Sequence, residues 1–576
     1  MKMVDLLERL RLRLAGFNAQ PLLALLGLIS GLISGVIIIL FRKAIEISQT
    51  GILPDQRAGE STEDFELLSM AWRFFLPVSG GLILALMLFF FSRPGYRFGV
   101  VHIMERLAHF EGNLPIRNAV LQFFGAIVAL VSGQSVGREG PSAHLGAAGS
   151  SLLGNYLLLP NNSIRTLVAC GTAAAIAASF NTPLAGVIFS MEVVMMEYSI
   201  AGFTPVILAA VSATALTRWV YGSEPVFSVP PLEMYSMMEF PIILIMGIVL
   251  GALAAGFISL LHWVTENNSA LPVWRRMIIA GVGVGLCGMF VPEVMGIGYD
   301  TVNNALHGNA ALGGLLLIVF FKVLATSLSI GLGVPGGLIG PTLFMGATAG
   351  GVIGLLTGYI PMEVSHPGFY AMLGMGAMMG ACLQAPLAAL VTLLELTANP
   401  HIILPGMLAI VSANLTAKEL FSKDSIFISQ IRAFGLDYRN DPVAQSLRRL
   451  AVASVMDREY VTTKQVIDIG QAKELLQGAP RWIIIEKDES KLRMPATDLA
   501  RFLEEYNGEE AIDLMEIPSQ RQQLGAVHIR ATLQEAKEIM EKSQAEALYV
   551  KRPIAPLVDR IYGIVDKEAI EKGYRL

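Results

Sequence analysis

The residues best placed to do chemistry lie in two short stretches that repeat one another. Residues 137–149 read GREGPSAHLGAAG and residues 337–350 read GLIGPTLFMGATAG, so Gly137, Pro141 and Gly146 return as Gly337, Pro341 and Gly346. A second pair follows in the same order. FNTPLAGVIFSMEVV at 180–194 and LQAPLAALVTLLELT at 383–397 match Pro183 to Pro386, Leu184 to Leu387 and Glu192 to Glu395. In each copy a Gly-rich stretch precedes a proline and then a helix-forming run, the pattern of a helix that begins inside a protein. The N–H groups of its first turn have no intrahelical partner. Two such starts converging near the middle of a membrane present free donors and two positive dipole ends, which suits a small anion and repels a cation. Glu139 stands at the first of these starts. An acid there is costly in apolar surroundings unless it is functional or paired with a nearby Arg, and a dipole that holds an anion holds a carboxylate equally well.

The elements that must position these starts are apolar. Of 576 residues 53% are hydrophobic and 15% charged, with 56 glycines and a mean hydropathy of +0.57. A soluble globule of this length would carry about a quarter of its residues charged. The charge is also unevenly placed: residues 442–576 hold 42 of the 89 Asp, Glu, Lys and Arg residues, leaving 47 for the first 441. The first part therefore reads as membrane-embedded and the second as soluble. Apolar runs lie at Leu22–Leu40, Phe74–Phe91, Ala119–Val131, Val206–Leu216, Ile242–Leu261, Met277–Val291, Leu315–Ile330 and Ile402–Leu415, and others are short and broken by Gly or Pro. Half-length helices inside a bilayer are tolerated where their free backbone groups face protein, water or an ion, so they point to a transport pathway. Beyond Asp441, amphipathic stretches (Ile467–Leu476, Thr532–Lys542) alternate with β-rich runs (Trp482–Glu486, Ala547–Val550, Tyr562–Val565), the pattern of a paired α/β module.

Several classes are disfavoured. A net charge of −5 supplies no basic field for nucleic acid. Cys170, Cys287 and Cys382 are far apart in apolar surroundings, without disulfide or metal-ligand spacing, and no nucleophile–base constellation marks an enzyme. The first 20 residues, with Arg9, Arg11 and Arg13 between apolar positions, read as an interfacial helix rather than a signal peptide.

The motifs GREGP at 137–141, GGLIGP at 336–341 and NTPLAGVIFSME at 181–192 resemble those of the CLC anion channels and exchangers, and the C-terminal region resembles the pair of CBS modules that many of them carry. The resemblance implies an all-α membrane domain of inverted repeats with broken transmembrane helices over residues 21–440, followed by cytoplasmic α/β CBS modules at 450–505 and 522–574. It also implies a homodimer in the plasma (inner) membrane, one chloride pathway per subunit, and both termini in the cytoplasm. In such proteins the acid of GREGP, here Glu139, is the gate that occupies an anion site and leaves it when protonated or displaced. The amides of Arg138, Glu139 and Gly140 and those of Leu338 and Ile339 would line the pathway, together with the loop at Phe98 and Gly99.

Three departures bear on function. Phe98 stands where the family has a coordinating Ser, and Phe427 where it has a Tyr, so two hydroxyl donors are missing. Hydrogen bonds to a charged group contribute roughly 1.5–3 kcal/mol each, so the pair would be worth about 3–6 kcal/mol. Val193 stands at the internal position where proton-coupled members usually carry a second acid. Valine cannot relay a proton, which favours a voltage-gated type of passive chloride channel. The alternatives are a proton-coupled exchanger or transport of another small anion such as bicarbonate or nitrate. Glu192 and Glu395 read as structural groups that cap backbone, and His102 and His144 as packed or hydrogen-bonded residues, with pH sensing as the sharper reading. In the tail, Asp498 matches the ribose-binding acid of nucleotide-holding CBS modules, but Ala569 occupies that place in the second unit. The tail is therefore read as a coupling and dimerisation module without a cofactor, an adenine nucleotide at Asp498 being the lesser reading.

Overall fold

The computed structural model describes residues 11, 14, 19–51, 65–92, 96–198, 200–227, 229–230, 232–361, 363–436, 441–487, 490–506, 511–555 and 558–575. Most of the expected N-terminal interfacial helix lies outside these. Two compact units divide the chain: residues 24–156 with 165–439, and residues 1–23, 157–164 and 440–576. The first lies within the span 21–440 expected for the membrane domain, and residues 157–164 group with the tail. There Asn161 Nδ2 donates to both carboxylate oxygens of Glu535 (3.1 and 3.0 Å), and Arg530 Nε donates to the carbonyl of Leu159 (2.7 Å).

Among its described residues the larger unit is built from helices joined by loops, with one isolated β-bridge between Gly137 and Gly337. Its helices are α1 (Gln20–Thr50), α2 (Met70–Phe91), α3 (Gly99–His109), α4 (Ile116–Val131), α5 (Glu139–Tyr156), α6 (Asn161–Phe180), α7 (Pro183–Phe189), α8 (Ile200–Tyr221) and α9 (Phe240–Asn267). The second half continues with α10 (Val273–Phe290), α11 (Tyr299–Leu306), α12 (Leu312–Gly331), α13 (Ile339–Thr357), α14 (Pro367–Leu383), α15 (Pro386–Thr397), α16 (Ile403–Leu415) and α17 (Ile426–Ala433). Among the described residues nine helices are long and apolar enough to cross a membrane, and several apolar helices, such as α4, α14 and α15, are shorter. Every apolar run read from the sequence falls in a helix or at its edge. Among the helices outside those runs are α6, rich in Ala, and α14, rich in Gly, Ala and Met, and both are packed inside the bundle.

That small-residue composition allows backbone contact. A Cβ at Gly146 would lie 2.3 Å from the carbonyl oxygen of Gly171, and one at Gly346 would lie 2.3 Å from that of Gly374. The repeated glycine thus lets α5 press on α6 and α13 on α14 in matching fashion, and van der Waals contact between bare backbones substitutes for a hydrophobic drive that lipid cannot supply.

The tail begins with α18 (Pro442–Arg448). It then runs β1 (Tyr460–Lys464), β2 (Val466–Ile467), α19 (Ile469–Gln477), β3 (Trp482–Lys487), β4 (Ser490–Pro495), α20 (Ala496–Glu505), β5 (Ile512–Asp513), β6 (Gln522–His528), α21 (Leu533–Ser543), β7 (Ala547–Ala555), β8 (Val558–Asp566) and α22 (Lys567–Arg575). Six strands form one sheet in the order β1-β3-β4-β6-β7-β8, and β2 pairs with β5. β1 with β3 and β6 with β7 are parallel, β3 with β4 and β7 with β8 antiparallel, so the same β-α-β-β-α unit occurs twice and the two join at β4 and β6. Both units start their first helix with a capping box, Asp468 with Gln471 and Thr532 with Glu535. Ile467, expected to open a helix, belongs to β2.

Candidate functional site

The two repeats meet where their helix starts cross. Gly137 N donates to the Gly337 carbonyl (2.8 Å) and Gly337 N to the Gly137 carbonyl (2.7 Å), a two-residue antiparallel bridge between positions 200 apart in the chain. Glycine is required on both sides. A Cβ on Gly137 would stand 2.0 Å from Glu139 Oε2, and one on Gly337 2.5 Å from the Gly140 amide nitrogen. From this bridge α5 starts at Glu139 and α13 at Ile339, so the orphan N–H groups of both first turns converge on one place.

Glu139 is fully buried there. Its Oε2 accepts from the amide of Gly340 (3.2 Å), in the first turn of the opposite helix, and its Oε1 accepts from the hydroxyl of Tyr299 (3.2 Å). The carboxylate therefore lies where the donors of α13 would meet an anion, and charge-assisted hydrogen bonds and the helix dipole both favour the ionised form in that seat. Neither partner was picked out by sequence. Gly340 lies one residue beyond the expected amides, and Tyr299 opens α11, far in sequence from either motif. Its ring packs edge-on against Phe227 (centroids 5.2 Å apart) and lies 5.5 Å from the Arg138 guanidinium carbon. Lys322, on α12, anchors the loop that delivers Tyr299. Fully buried, it donates to the carbonyls of Val294 (3.1 Å) and Gly296 (3.0 Å) and lies over the Phe344 ring. A lysine inside an apolar run was the available signal.

Beside the gate lies a cavity of about 240 Å³ lined by Phe98, Gly99, Gly140, Leu338, Ile339 and Phe427 among others. Six residues expected to bind an anion, from four separate stretches, thus share one wall. Arg138 lies outside it and sends its guanidinium to the carbonyl of Ser179 (3.2 Å). Phe98 caps α3, and the Gly99 amide, at φ +61°, donates to Gln122 Oε1 (2.8 Å) instead of to the cavity. Phe427 is buried on α17. Both residues line this cavity.

Glu192 and Glu395 form a reciprocal pair of caps. Glu192 accepts from the amides of Leu387 (3.3 Å) and Ala388 (2.6 Å) at the start of α15, and Glu395 from those of Leu184 (3.1 Å) and Ala185 (2.7 Å) at the start of α7. Each half of the repeat satisfies the other's helix start, as the structural reading held. Val193 beside Glu192 is buried and apolar. His144 Nδ1 meets Gln122 Oε1 (3.1 Å), and His102 meets Asn118 (3.0 Å) and Glu105 (3.4 Å), so both histidines are held in a packed network next to the cavity. In the tail, Asp498 accepts from the Ser519 hydroxyl (2.6 Å), while Ala569 lines a separate cleft with Trp482 and Arg493.

Opposed broken helices aimed at one buried acid define a membrane transport protein for anions. Residues 79–418, more than half of the chain, match the family model described as voltage gated chloride channel, and the chain belongs to that family, the CLC proteins, which move chloride across membranes. It is 34% identical over 356 residues to a putative chloride channel protein ClcB-like of Ralstonia nicotianae, covering 60% of this chain and 82% of that one. It is 30% identical over 327 residues to an H(+)/Cl(-) exchange transporter ClcA of Vibrio cholerae, covering 54% and 69%. The fold matches the crystal structure of a slow cyanobacterial Cl-/H+ antiporter with a TM-score of 0.62 at 24% identity, over 72% of this chain and 99% of that one.

Proposed function

We propose that the protein exchanges chloride for protons, with Glu139 as the group that alternately occupies the anion seat and carries the proton. The observation that bears this reading is the position of the Glu139 carboxylate, bridged to the Gly340 amide across the repeat boundary. A carboxylate seated there excludes an anion, and a protonated one surrenders its claim to the same donors, so anion and proton compete for one place. The exchanger named among the relatives at 30% identity supports coupling over passive flow. In this reading the amides of Arg138, Glu139, Gly140, Leu338 and Ile339 define the path, and Phe98 and Phe427 leave its central site short of two hydroxyl donors. The two β-α-β-β-α units of the tail act as a CBS pair on the cytoplasmic side. The protein works as a homodimer in the plasma membrane, both termini cytoplasmic. With Asp498 engaged by Ser519 and Ala569 in the second unit, the pair acts without a nucleotide.

Purified full-length protein in sealed liposomes tests the reading. A chloride gradient clamped with valinomycin and potassium should drive protons uphill, and Glu139→Gln should abolish that movement. A second reading, passive chloride flow, is favoured by buried Val193. Chloride flux with no accompanying proton movement would establish it and overturn exchange.

A further inference from the structure

The cavity next to Glu139 contains no Asp or Glu in its lining but two arginines, Arg97 and Arg276. They are not equivalent. The Arg97 guanidinium is committed, 2.5 Å from Glu105 Oε1 and 4.9 Å from the centre of the Phe434 ring. Arg276 stands in the first turns of α10, half-buried, with its Nε buried and without a hydrogen-bond partner, and among the described residues it has no ion pair. A Cβ on Gly333, the glycine that opens the loop into α13, would lie 3.9 Å from Arg276 Nη1, so the guanidinium runs along the chain that ends at the amides of Leu338 and Ile339. Ser269 and Gln430 add polar groups to the same wall. A buried Nε without a hydrogen-bond partner, on a half-buried guanidinium facing a cavity whose lining holds no carboxylate, favours an anion beside it.

We propose that Arg276 is the specificity-determining residue of the anion path, standing in for the hydroxyl donors lost at Phe98 and Phe427, and that it selects a planar monovalent oxyanion of the nitrate type over chloride. A hydroxyl offers one donor to a sphere; a guanidinium offers parallel N–H donors whose spacing matches two oxygens of a planar anion. The phenyl rings of Phe98 and Phe427 in the same wall suit a weakly hydrated ion better than a strongly hydrated one. The inference rests on the anion-transport reading above, but its test is a binding measurement that does not require transport.

Nitrate and chloride are titrated calorimetrically into the full-length protein in detergent, for wild type, Arg276→Lys and Arg276→Gln. Wild type is expected to bind nitrate more tightly than chloride. Arg276→Gln should weaken nitrate by roughly 10- to 100-fold. Arg276→Lys keeps the charge without the fork and should bring the two anions to similar affinity. A Lys variant that keeps the wild-type preference for nitrate, or a wild type that prefers chloride, overturns the proposal. Liposome flux separates the two readings. Intact nitrate binding without any anion flux would sink the transport function and leave the site, while chloride flux with no effect of Arg276 on nitrate affinity would do the reverse.

Discussion

Tyr299→Phe isolates the bond that holds the gate. The substitution removes one hydroxyl and keeps the ring, with its contacts to Phe227 and Arg138. What is lost is the donor 3.2 Å from Glu139 Oε1. Hydrogen bonds to charged groups contribute roughly 1.5–3 kcal/mol, and a separation longer than the usual O–H···O range places this one at the lower end. About 1.4 kcal/mol is a factor of ten, so the seated carboxylate should become roughly tenfold less favoured against its displaced state. A seated carboxylate competes with the anion, hence the apparent chloride Kd of full-length Tyr299→Phe should tighten by up to about tenfold in calorimetric titration at neutral pH. The same substitution on a Glu139→Ala background has no carboxylate to release and should change nothing, which makes the pair a double-mutant cycle. An unchanged or weakened chloride affinity in the single variant, or an equal effect in both backgrounds, would refute the argument that Tyr299 latches the gate.

Three other expectations are independent of that bond. Phe98→Ser combined with Phe427→Tyr restores two donors to the cavity wall and should tighten chloride binding, with about 3–6 kcal/mol as the ceiling set by two charge-assisted bonds; no gain in titration would place the anion elsewhere. Glu192→Gln turns one acceptor of the α15 cap into a donor facing an N–H, which should cost about 1–3 kcal/mol in chemical denaturation of the full-length protein, and Glu395→Gln should cost the same at α7; wild-type midpoints for both would show that the caps are dispensable. In the tail, the Asp513 carboxylate accepts from the Met515 amide (2.8 Å) and from Gln465 Nε2 (2.9 and 3.1 Å), and these bonds hold it below the ordinary carboxylate range. A depressed folded-state value means stability present above the unfolded pKa of about 3.9 and lost as pH falls through the lower folded value. Hydrogen-exchange protection of the β2–β5 pair should therefore fall below about pH 4 in wild type. In Asp513→Asn it should be lower and flat, and identical profiles would count against the linkage.

The repeat carried most of what the sequence could reveal of the site, because symmetry makes position visible without coordinates. Pro141 with Pro341 and Pro183 with Pro386 mark where four helices begin, and their glycine-rich approaches mark where backbone must cross backbone. Glu192 and Glu395 were legible as caps for the same reason: a carboxylate recurring at one offset beside a helix start has a structural job in both halves. Tyr299 and Lys322 escaped because they lie outside the repeated motifs and are linked only through the loop before α11, and nothing in local spacing announces which hydroxyl will reach a buried acid 160 residues away. The Gly340 amide escaped by one residue, since the carboxylate reaches past the first amide of α13 to the next. Arg276 illustrates the remaining limit. In the sequence it is one of two adjacent arginines at the edge of an apolar run, where the positive charge of a membrane boundary is the ordinary reading. Only the structure separates it from its neighbours: Arg97 lines the same cavity but pairs with Glu105, Arg275 lies over the Trp274 ring and outside the cavity lining, and Arg276 lines the cavity with no ion pair among the described residues. An anion path built on backbone amides tolerates loss of its side-chain donors, and a cation so placed is where its selectivity can be rewritten without touching the gate.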